Sequence, residues 1–183
     1  AQWLGYQTAL SPIVASGVNA ANPHHFPTDK EFKEGELVIV DWGATHEGYF
    51  SDITRTYAIG NQIDKKLLRA YEAVRLANLA GRSKAAAGVS AGDVDSATRK
   101  VIEDHGFGEF FTHRTGHGLG LEIHEEPYIK PDNDFVLQKG MTFTIEPGIY
   151  IPGLGGIRIE DDVCLKTSGL VSLTSLPREL IIV

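Results

Sequence analysis

The chain has 183 residues, 42% of them apolar and 22% charged, which predicts one globular domain with a substantial core. A formal net charge of −7 without a basic patch argues against nucleic-acid binding, and no apolar run approaches the roughly 20 residues of a membrane span. Cys164 is the only cysteine, which excludes a disulfide framework and a thiolate metal site, so any metal needs oxygen and nitrogen ligands.

The chain begins with short extended runs broken by Gly, Pro and Asn. Among them "VIVDWGATHEGYFSDIT", Val38 to Thr54, predicts a β-hairpin because polar or small residues separate two strand-like runs. A turn centred between His46 and Glu47 places Asp41 directly opposite Asp52. Opposed carboxylates repel each other. A proton on one acid, a nearby Lys or Arg, or a bound cation must relieve that repulsion.

The residues before this hairpin indicate burial. The run "ELVIVD" that ends at Asp41 is apolar on both faces, as in a strand that is covered on both sides. Two solvated acids on a surface hairpin are the simpler alternative, and this apolar run argues against it.

The spacing of apolar residues then changes from that of strands to that of helices. Asp64 is the predicted N-cap of a helix that extends to about Gly81. A second helix is predicted from about Asp93 to His105, with Gly106 as its stop signal. Strand-like runs return after it, and strands, helices and strands in this order predict an α+β domain.

The run "IEPGIYIPGLGGIRIE" repeats the pattern of the first hairpin. Turn residues surround Gly153, and a hairpin centred there places Glu146 opposite Glu160. Two hairpins that each oppose two acids are poorly explained by chance surface acids. A shared cation site is therefore favoured, and protonated pairs stay open as the alternative.

Four carboxylates and one histidine suit two divalent ions with bridging carboxylates. Such ligands favour Mn, Co or Zn over soft Cu(I). The candidate histidines are His113, His117 and His124 in the segment "FTHRTGHGLGLEIHEEP", where Gly116 and Gly118 let other groups approach His117 closely. A structural role in hydrogen bonding is open for each of them.

Together these segments resemble the pita-bread metallopeptidases, and among them the Xaa-Pro peptidases prolidase and aminopeptidase P. The similar segments span roughly Ser16 to Val163 and are "SGVNAANPHH", "VDWGATHEGYFSDITRT", "TGHGLGLEIHEEP", "FTIEPGIY" and "GIRIEDD". The resemblance implies an α+β pita-bread fold, in which a curved antiparallel sheet carries flanking helices. It also implies that residues 1–183 are a single catalytic-domain fragment without the family's opening helix and N-terminal domain.

The resemblance further implies two divalent metal ions, with Mn expected first and Co or Zn as alternatives. One ion would be held by Asp41, Asp52 and Glu160, and the other by Asp52, His117, Glu146 and Glu160. Asp52 and Glu160 would bridge the ions, and Glu146 also counts as a catalytic residue. A metal-bound hydroxide would attack the peptide bond before proline, in dipeptides or in longer peptides.

Other side chains are assigned to the substrate by the same resemblance. His24 would contact the proline side of the scissile bond, and His113 and His124 would stabilise the tetrahedral intermediate. Tyr150 and Arg158 match positions that orient the ligands. A role as ion-pair partner alone is the alternative for Arg158.

Three other functions on the same fold compete with this interpretation: a metal-free amidinohydrolase such as creatinase, a methionine aminopeptidase, and a non-catalytic binding protein. The complete ligand set argues against the first and third, and "NPHHFP" is closer to the proline peptidases than to the second. The resulting expectation is a peptide-binding enzyme without nucleic-acid or membrane partners, homodimeric in its full-length form. The single cysteine is typical of a reducing compartment, which predicts a cytoplasmic protein.

Overall fold

A computed structural model describes Gln7, Thr8 and residues 11–183 of the chain. In these residues lie twelve β-strands, two α-helices and two short 3₁₀ turns, Gly17–Ala21 and Gly108–Phe110. The helices are α1, Lys65–Lys84, and α2, Ala91–Asp104. The strands are β1 Gln7–Thr8, β2 Ile13–Ser16, β3 Leu37–His46, β4 Tyr49–Ala58, β5 Gly116–Gly118, β6 Glu125–Ile129, β7 Thr142–Ile145, β8 Gly148–Ile151, β9 Gly155–Arg158, β10 Asp161–Lys166, β11 Gly169–Ser172 and β12 Ile181–Ile182.

The described strands form three sheets. The first has the order β1-β3-β4-β12, with β2 also paired to β3, and the second has the order β11-β10-β7-β5-β6. The third is the hairpin of β8 and β9. The pairing of β12 with β4 is parallel, and the other ladders between described strands are antiparallel. Antiparallel sheets with helices between them in sequence agree with the predicted α+β class.

The hairpin of β3 and β4 has a different register from the predicted one. Asp52 is paired with Gly43, so the prediction that Asp41 lies directly opposite Asp52 is wrong. The turn residues are Glu47 and Gly48, whose φ angles of 50° and 85° are typical of a two-residue type I′ turn. The hairpin is therefore centred one residue later than predicted. Because Gly43 and Asp41 are two residues apart, both acids still lie on one face as diagonal neighbours.

The second acidic hairpin has the predicted register. Gly148 is paired with Arg158 in the β8–β9 ladder, two residues from Glu146 and Glu160 on one side. Ile145 is paired with Asp161 in the β7–β10 ladder, one residue from the same acids on the other side and in the same register. Glu146 and Glu160 face each other in the gap between the two ladders. The two acids thus lie opposite each other, as predicted.

The two helices begin at side-chain caps. Asp64 and Ser90 each accept a hydrogen bond from a backbone N–H in the first turn of α1 and α2, respectively. Helix α1 continues three residues beyond its predicted end at Gly81, where the missing Cβ leaves room for Thr98 of α2 and Ile145 of β7. Neither of these two helices combines the length and hydropathy needed to cross a membrane.

The apolar core determines which face of β9 and the following residues is free for a site. Ile157 and Ile159 are fully buried in a cluster with α1 and the end of α2. Because side chains alternate along an extended chain, Arg158 and Glu160 point to the opposite face. Each buried aliphatic side chain contributes about 1.5–3 kcal/mol relative to exposure, so this packing holds the two polar residues firmly in place.

Candidate active site

Polar side chains from both large sheets and from the β8–β9 hairpin line one cavity of about 400 Å³. Its lining includes nine residues that the sequence singled out: His24, Asp41, Asp52, His113, His117, His124, Glu146, Arg158 and Glu160. Tyr150 lies beside the cavity and reaches His113 and Arg158 through its hydroxyl group. The structure therefore brings together all the predicted site residues.

The acids gather around His117 on β5. One ligand atom each from Asp52, His117 and Glu160 lie within 4.8 Å of one another. The Nε2 atom of His117 is 3.3 Å from a carboxylate oxygen of Glu146 and 4.0 Å from one of Asp52. Its Nδ1 atom lies 3.0 Å from the carbonyl oxygen of Gly118, to which a protonated Nδ1 donates. The Nε2 lone pair then points toward the acids, as in a metal-binding imidazole.

Close packing of β5 between β6 and β7 positions this histidine. A Cβ atom on Gly116 would overlap the backbone carbonyl of Thr144, and one on Gly118 would overlap backbone carbonyls of β6. The glycines thus allow the close approach that the sequence indicated. The Thr144 hydroxyl accepts the His117 backbone N–H at 3.1 Å and donates to Glu146 at 3.2 Å.

Burial and mutual repulsion raise the pKa values of the clustered acids. Burial, followed by the charges of Asp41 and Glu146, raises the pKa of Asp52 to about 9. Burial raises the pKa of Glu146 to about 7, and burial with the Asp52 charge raises that of Glu160 well above its usual range. The Oδ1 atom of Asp52 is buried and has no hydrogen-bond partner in the described part of the chain. The Arg158 charge lowers the pKa values of Asp52 and Glu146, but it does not outweigh burial and the repulsion among the acids.

Neutral imidazoles surround the acids. Burial lowers the pKa of His117 to about 3 and that of His113 to about 4, and it also lowers that of His124. The His124 ring packs edge-on against His117 with ring centroids 4.3 Å apart. His113 lies between the Arg114 carbonyl, 2.7 Å from Nδ1, and the Tyr150 hydroxyl, 2.8 Å from Nε2.

Arg158 connects the two acidic hairpins through its buried guanidinium group. It donates to Asp41 at 2.6 Å, to the hydroxyl of Thr54 at 3.1 Å and to that of Tyr150 at 2.8 Å. The Thr54 hydroxyl in turn donates to Glu160 at 2.7 Å. Arg158 therefore orients Asp41 directly and Glu160 through Thr54. It is not only the ion-pair partner of one acid, which was the alternative left open by the sequence. The sequence did not indicate Thr54.

Comparison with known proteins identifies the family of this chain. The family model of Metallopeptidase family M24 matches residues 2–167. The chain belongs to this family. It is 48% identical over 174 residues to a Xaa-Pro dipeptidase from Lactobacillus delbrueckii subsp. lactis, which covers 95% of this chain and 47% of that protein.

Solved structures of similar proteins confirm the predicted pita-bread fold for this M24 chain. A dipeptidase from Pyrococcus horikoshii OT3 has 53% identity and a TM-score of 0.94, over 96% of this chain and 49% of that one. An X-Pro aminopeptidase from Thermotoga maritima MSB8 has 44% identity and a TM-score of 0.92, over 96% of this chain and 50% of that one. The chain thus spans about half the length of these relatives.

Membership of the M24 metallopeptidases implies divalent metal ions, and the residues of the cavity fit them. The available donors are carboxylate oxygens and one neutral imidazole nitrogen, a set that suits Mn, Co or Zn. Asp52, His117 and Glu160 already converge, and the unpartnered Asp52 oxygen is the kind of atom that a cation satisfies. The described cluster can therefore hold a divalent ion.

Two residues that the sequence did not indicate, Arg55 and Asp162, hold the backbone of the acids Glu160 and Asp52. All five N–H donors of Arg55 are used: they reach the Thr54 and Glu160 carbonyls, the Asp161 carboxylate and two carbonyls of the segment before β12. The Asp162 carboxylate accepts the backbone N–H of Asp52 at 3.0 Å. Arg55 lies on the face of β4 opposite to Asp52, so the hairpin pattern gave no reason to select it.

We expect Arg55→Lys to weaken the binding of Mn²⁺ about tenfold, because a Lys has three donors and cannot span the groups that fix the backbone of Glu160. Titration calorimetry measures the affinity, and near-UV circular dichroism checks that the variant is folded. Arg75→Lys is the matched control, since Arg75 pairs with Glu72 on the surface of α1. An unchanged affinity in folded Arg55→Lys would contradict the supporting role of Arg55.

Proposed function

We propose that this chain is the catalytic part of a peptidase that hydrolyses the peptide bond before proline. The observation that supports it most is the convergence of four carboxylates and the His117 imidazole in a cavity that His24, His113 and His124 also line. Similar proteins carry the names Xaa-Pro dipeptidase and X-Pro aminopeptidase, which supports proline after the scissile bond. A homodimeric full-length form and a cytoplasmic location stay predictions.

The proposed metal site holds two divalent ions, with Mn expected first and Co or Zn as alternatives. Asp41, Asp52, His117, Glu146 and Glu160 are the proposed ligands, and Asp52 and Glu160 are the proposed bridges. When bound, such ions polarise the scissile carbonyl and lower the pKa of an attacking water. The neutral state of His117 and the buried, unpartnered oxygen of Asp52 support this assignment.

The chain's own side chains orient the substrate and transfer protons. Glu146 is partly open to the cavity, so its carboxylate can accept a proton from the attacking water and return it to the leaving nitrogen. His124 is exposed at the cavity and can donate an N–H to the carbonyl oxygen as negative charge develops there. His113 donates its Nδ1 proton to the Arg114 carbonyl and accepts from the Tyr150 hydroxyl at Nε2, so its assigned role at the same oxygen requires that Nε2 gain a proton and turn from Tyr150 to the substrate. His24 is assigned to the proline side of the bond.

The function is tested with full-length protein loaded with Mn²⁺, Co²⁺ or Zn²⁺ in separate assays. Each substrate is a Xaa-Pro dipeptide or a longer Xaa-Pro peptide, and its control has alanine in place of proline. We expect metal-dependent cleavage only where proline follows the scissile bond. Equal cleavage of the alanine controls, or cleavage that persists after chelation, would overturn the proposal.

Replacement of His124 by Ala should lower kcat by about 10²–10³-fold, the usual cost of removing a donor to a developing oxyanion. The number of bound ions should stay at that of the parent protein, because His124 is assigned to the substrate. Elemental analysis and steady-state kinetics measure the two quantities on the same preparation. Loss of metal in this variant would show that His117 is not the sole imidazole ligand.

A further inference from the structure

A pair of charged side chains on α2 contacts the loop that carries His113, and the proposed mechanism gives this pair no role. Asp95 is buried, and Arg99 lies one helical turn later, where its Nε atom donates to the Asp95 carboxylate at 3.0 Å. The loop runs from Phe111 to Thr115, between the second 3₁₀ turn and β5. Because it has no helix or strand of its own, its shape depends on contacts with the rest of the chain.

Arg99 holds the first part of this loop by its backbone. Its guanidinium group donates to the carbonyl oxygen of Phe111 at 3.1 Å and to that of His113 at 3.0 Å, while two further bonds go to Asp95. The guanidinium carbon also lies 4.2 Å from the centroid of the Phe111 ring, and that ring packs edge-on against His113 with centroids 5.2 Å apart. A planar group with several donors is needed to make these contacts at once.

Asp95 holds the last residue of the loop and joins it to the acid cluster. Its Oδ1 atom accepts the hydroxyl of Thr115 at 2.8 Å and the backbone N–H of the same residue at 3.2 Å. The Thr115 carbonyl in turn accepts the backbone N–H of Glu146 at 2.7 Å. Both Asp95 and Thr115 are buried, so loss of either partner leaves the other with an unsatisfied polar group.

A second charged pair on α2 shows that helical spacing alone does not produce such contacts. Lys100 and Asp104 are also four residues apart, but both side chains are exposed and Lys100 donates to the two carboxylate oxygens of Asp104. Exposed pairs of this kind stabilise a helix only slightly. Asp95 and Arg99 instead make four hydrogen bonds to the loop, so they fix the loop and His113 relative to α2.

We propose that Arg99, oriented by Asp95, is a positioning residue that places the His113 ring for catalysis. The proposal rests on the proposed function, since His113 is assigned there to the carbonyl oxygen of the scissile bond. That role requires the ring to turn from Tyr150 to the substrate, and the ring turns without displacement only if its backbone is fixed. Arg99 fixes it, because its donors hold the His113 carbonyl and the Phe111 carbonyl two residues earlier. A displacement of about 1 Å at a catalytic group can lower the rate by about 100-fold.

The test uses metal-loaded full-length protein and a Xaa-Pro peptide that the parent protein cleaves. Arg99→Gln should lower kcat by about 10–100-fold and leave KM within about twofold, because a misplaced His113 affects the transition state rather than substrate binding. The number of bound ions should not change. Arg99→Lys keeps the charge without the planar group, so its kcat should lie between those of the parent and Arg99→Gln. Lys100→Gln, on the same helix, is the matched control and should keep the parent kcat.

A double-mutant cycle separates the positioning of His113 from general support of the fold. In His113→Ala, the addition of Arg99→Gln should leave kcat within about twofold, because the group that Arg99 positions is already gone. An equal loss of kcat in the parent and in His113→Ala, or a parent-like kcat in folded Arg99→Gln, would overturn the proposal. If near-UV circular dichroism shows that Arg99→Gln is not folded, the same cycle with Arg99→Lys decides in the same way.

Histidine ring signals in an NMR spectrum of histidine-labelled protein give a readout that does not depend on activity. The signals of His113 are assigned by their absence from His113→Ala. They should shift in Arg99→Gln and stay in place in Lys100→Gln. If no peptide is cleaved, the proposed function has failed, and this spectrum alone tests Arg99. A shift confined to Arg99→Gln would support its positioning role, and unshifted His113 signals would refute it.

Discussion

Asp52→Asn should empty both metal positions and lower kcat/KM for a Xaa-Pro peptide by more than about 100-fold. Mutation of a residue that only hydrogen-bonds to a metal ligand typically lowers metal affinity or activity by about 10–100-fold, and loss of a ligand should cost more. Asp52 is the proposed bridge, and one of its oxygens has no partner within the described chain. Asn removes the negative charge and replaces one oxygen by a donor group that repels a cation. His117→Ala, in contrast, should chiefly empty the one position that has an imidazole ligand. Elemental analysis after loading with Mn²⁺ counts the ions per chain.

Asp104→Asn is the matched control for this experiment. Asp104 lies at the exposed end of α2 and pairs with Lys100. Solvent screens its charge, and it does not line the cavity. The control should bind the same number of ions as the parent protein. If Asp52→Asn keeps one ion at full occupancy, Asp52 is not a bridging ligand and the assignment must be changed.

The pairing of acids was predictable because hairpin register follows from turn position. The second hairpin turns at Gly153, whose φ of 74° suits glycine, and its register was correct. The first hairpin places Glu47 at a positive φ, which is uncommon for a residue other than glycine. The sequence therefore favoured a turn one residue too early. The resulting shift of two residues in the pairing kept Asp41 and Asp52 on one face, so the prediction of a shared acidic site survived the error.

Residues that hold the acids in place could not be found from local patterns. Asp162 accepts the backbone N–H of Asp52 across 110 residues of sequence, and Arg55 reaches the Glu160 carbonyl across 105. Such contacts depend on how β4 packs against β10, which neither strand's own sequence specifies. Resemblance to a family supplied the proposed assignment of individual ligands, whereas hairpin spacing alone supplied only pairs of facing acids.

The sequence also did not predict which strands pair with one another to form each sheet. The strand β12 has two residues and pairs with β4 in parallel, an arrangement with no sequence signal of its own. Its position is explained by the segment that precedes it, whose carbonyls at Leu176 and Pro177 accept hydrogen bonds from Arg55. The same guanidinium thus links the end of the described fold to the backbone of Glu160.

The metal-free protein should lose stability as the pH rises from about 6.5 to about 9. Burial raises the folded-state pKa of Asp52 to about 9 and that of Glu146 to about 7, so the folded state binds more protons than the unfolded state up to those values. Each such proton lowers the free energy of unfolding by about 1.4 kcal/mol per pH unit. Below about 6.5 the lowered pKa values of His113 and His117 act in the opposite direction, because there the unfolded state binds more protons. The loss is therefore clear only above that pH.

Urea unfolding of chelator-treated protein at several pH values between 6 and 9 measures this slope. Asp52→Asn removes an acid whose pKa is raised to about 9 and should flatten the slope, whereas Asp104→Asn should reproduce the parent curve, since Asp104 is exposed. Addition of Mn²⁺ should stabilise the parent protein more at pH 8 than at pH 6, because the ion competes with protons for the same carboxylates. If the free energy of unfolding of the metal-free protein stays level or rises between pH 6.5 and 9, these acids do not have raised pKa values in the folded chain. The repulsion that the cations are proposed to relieve would then not exist.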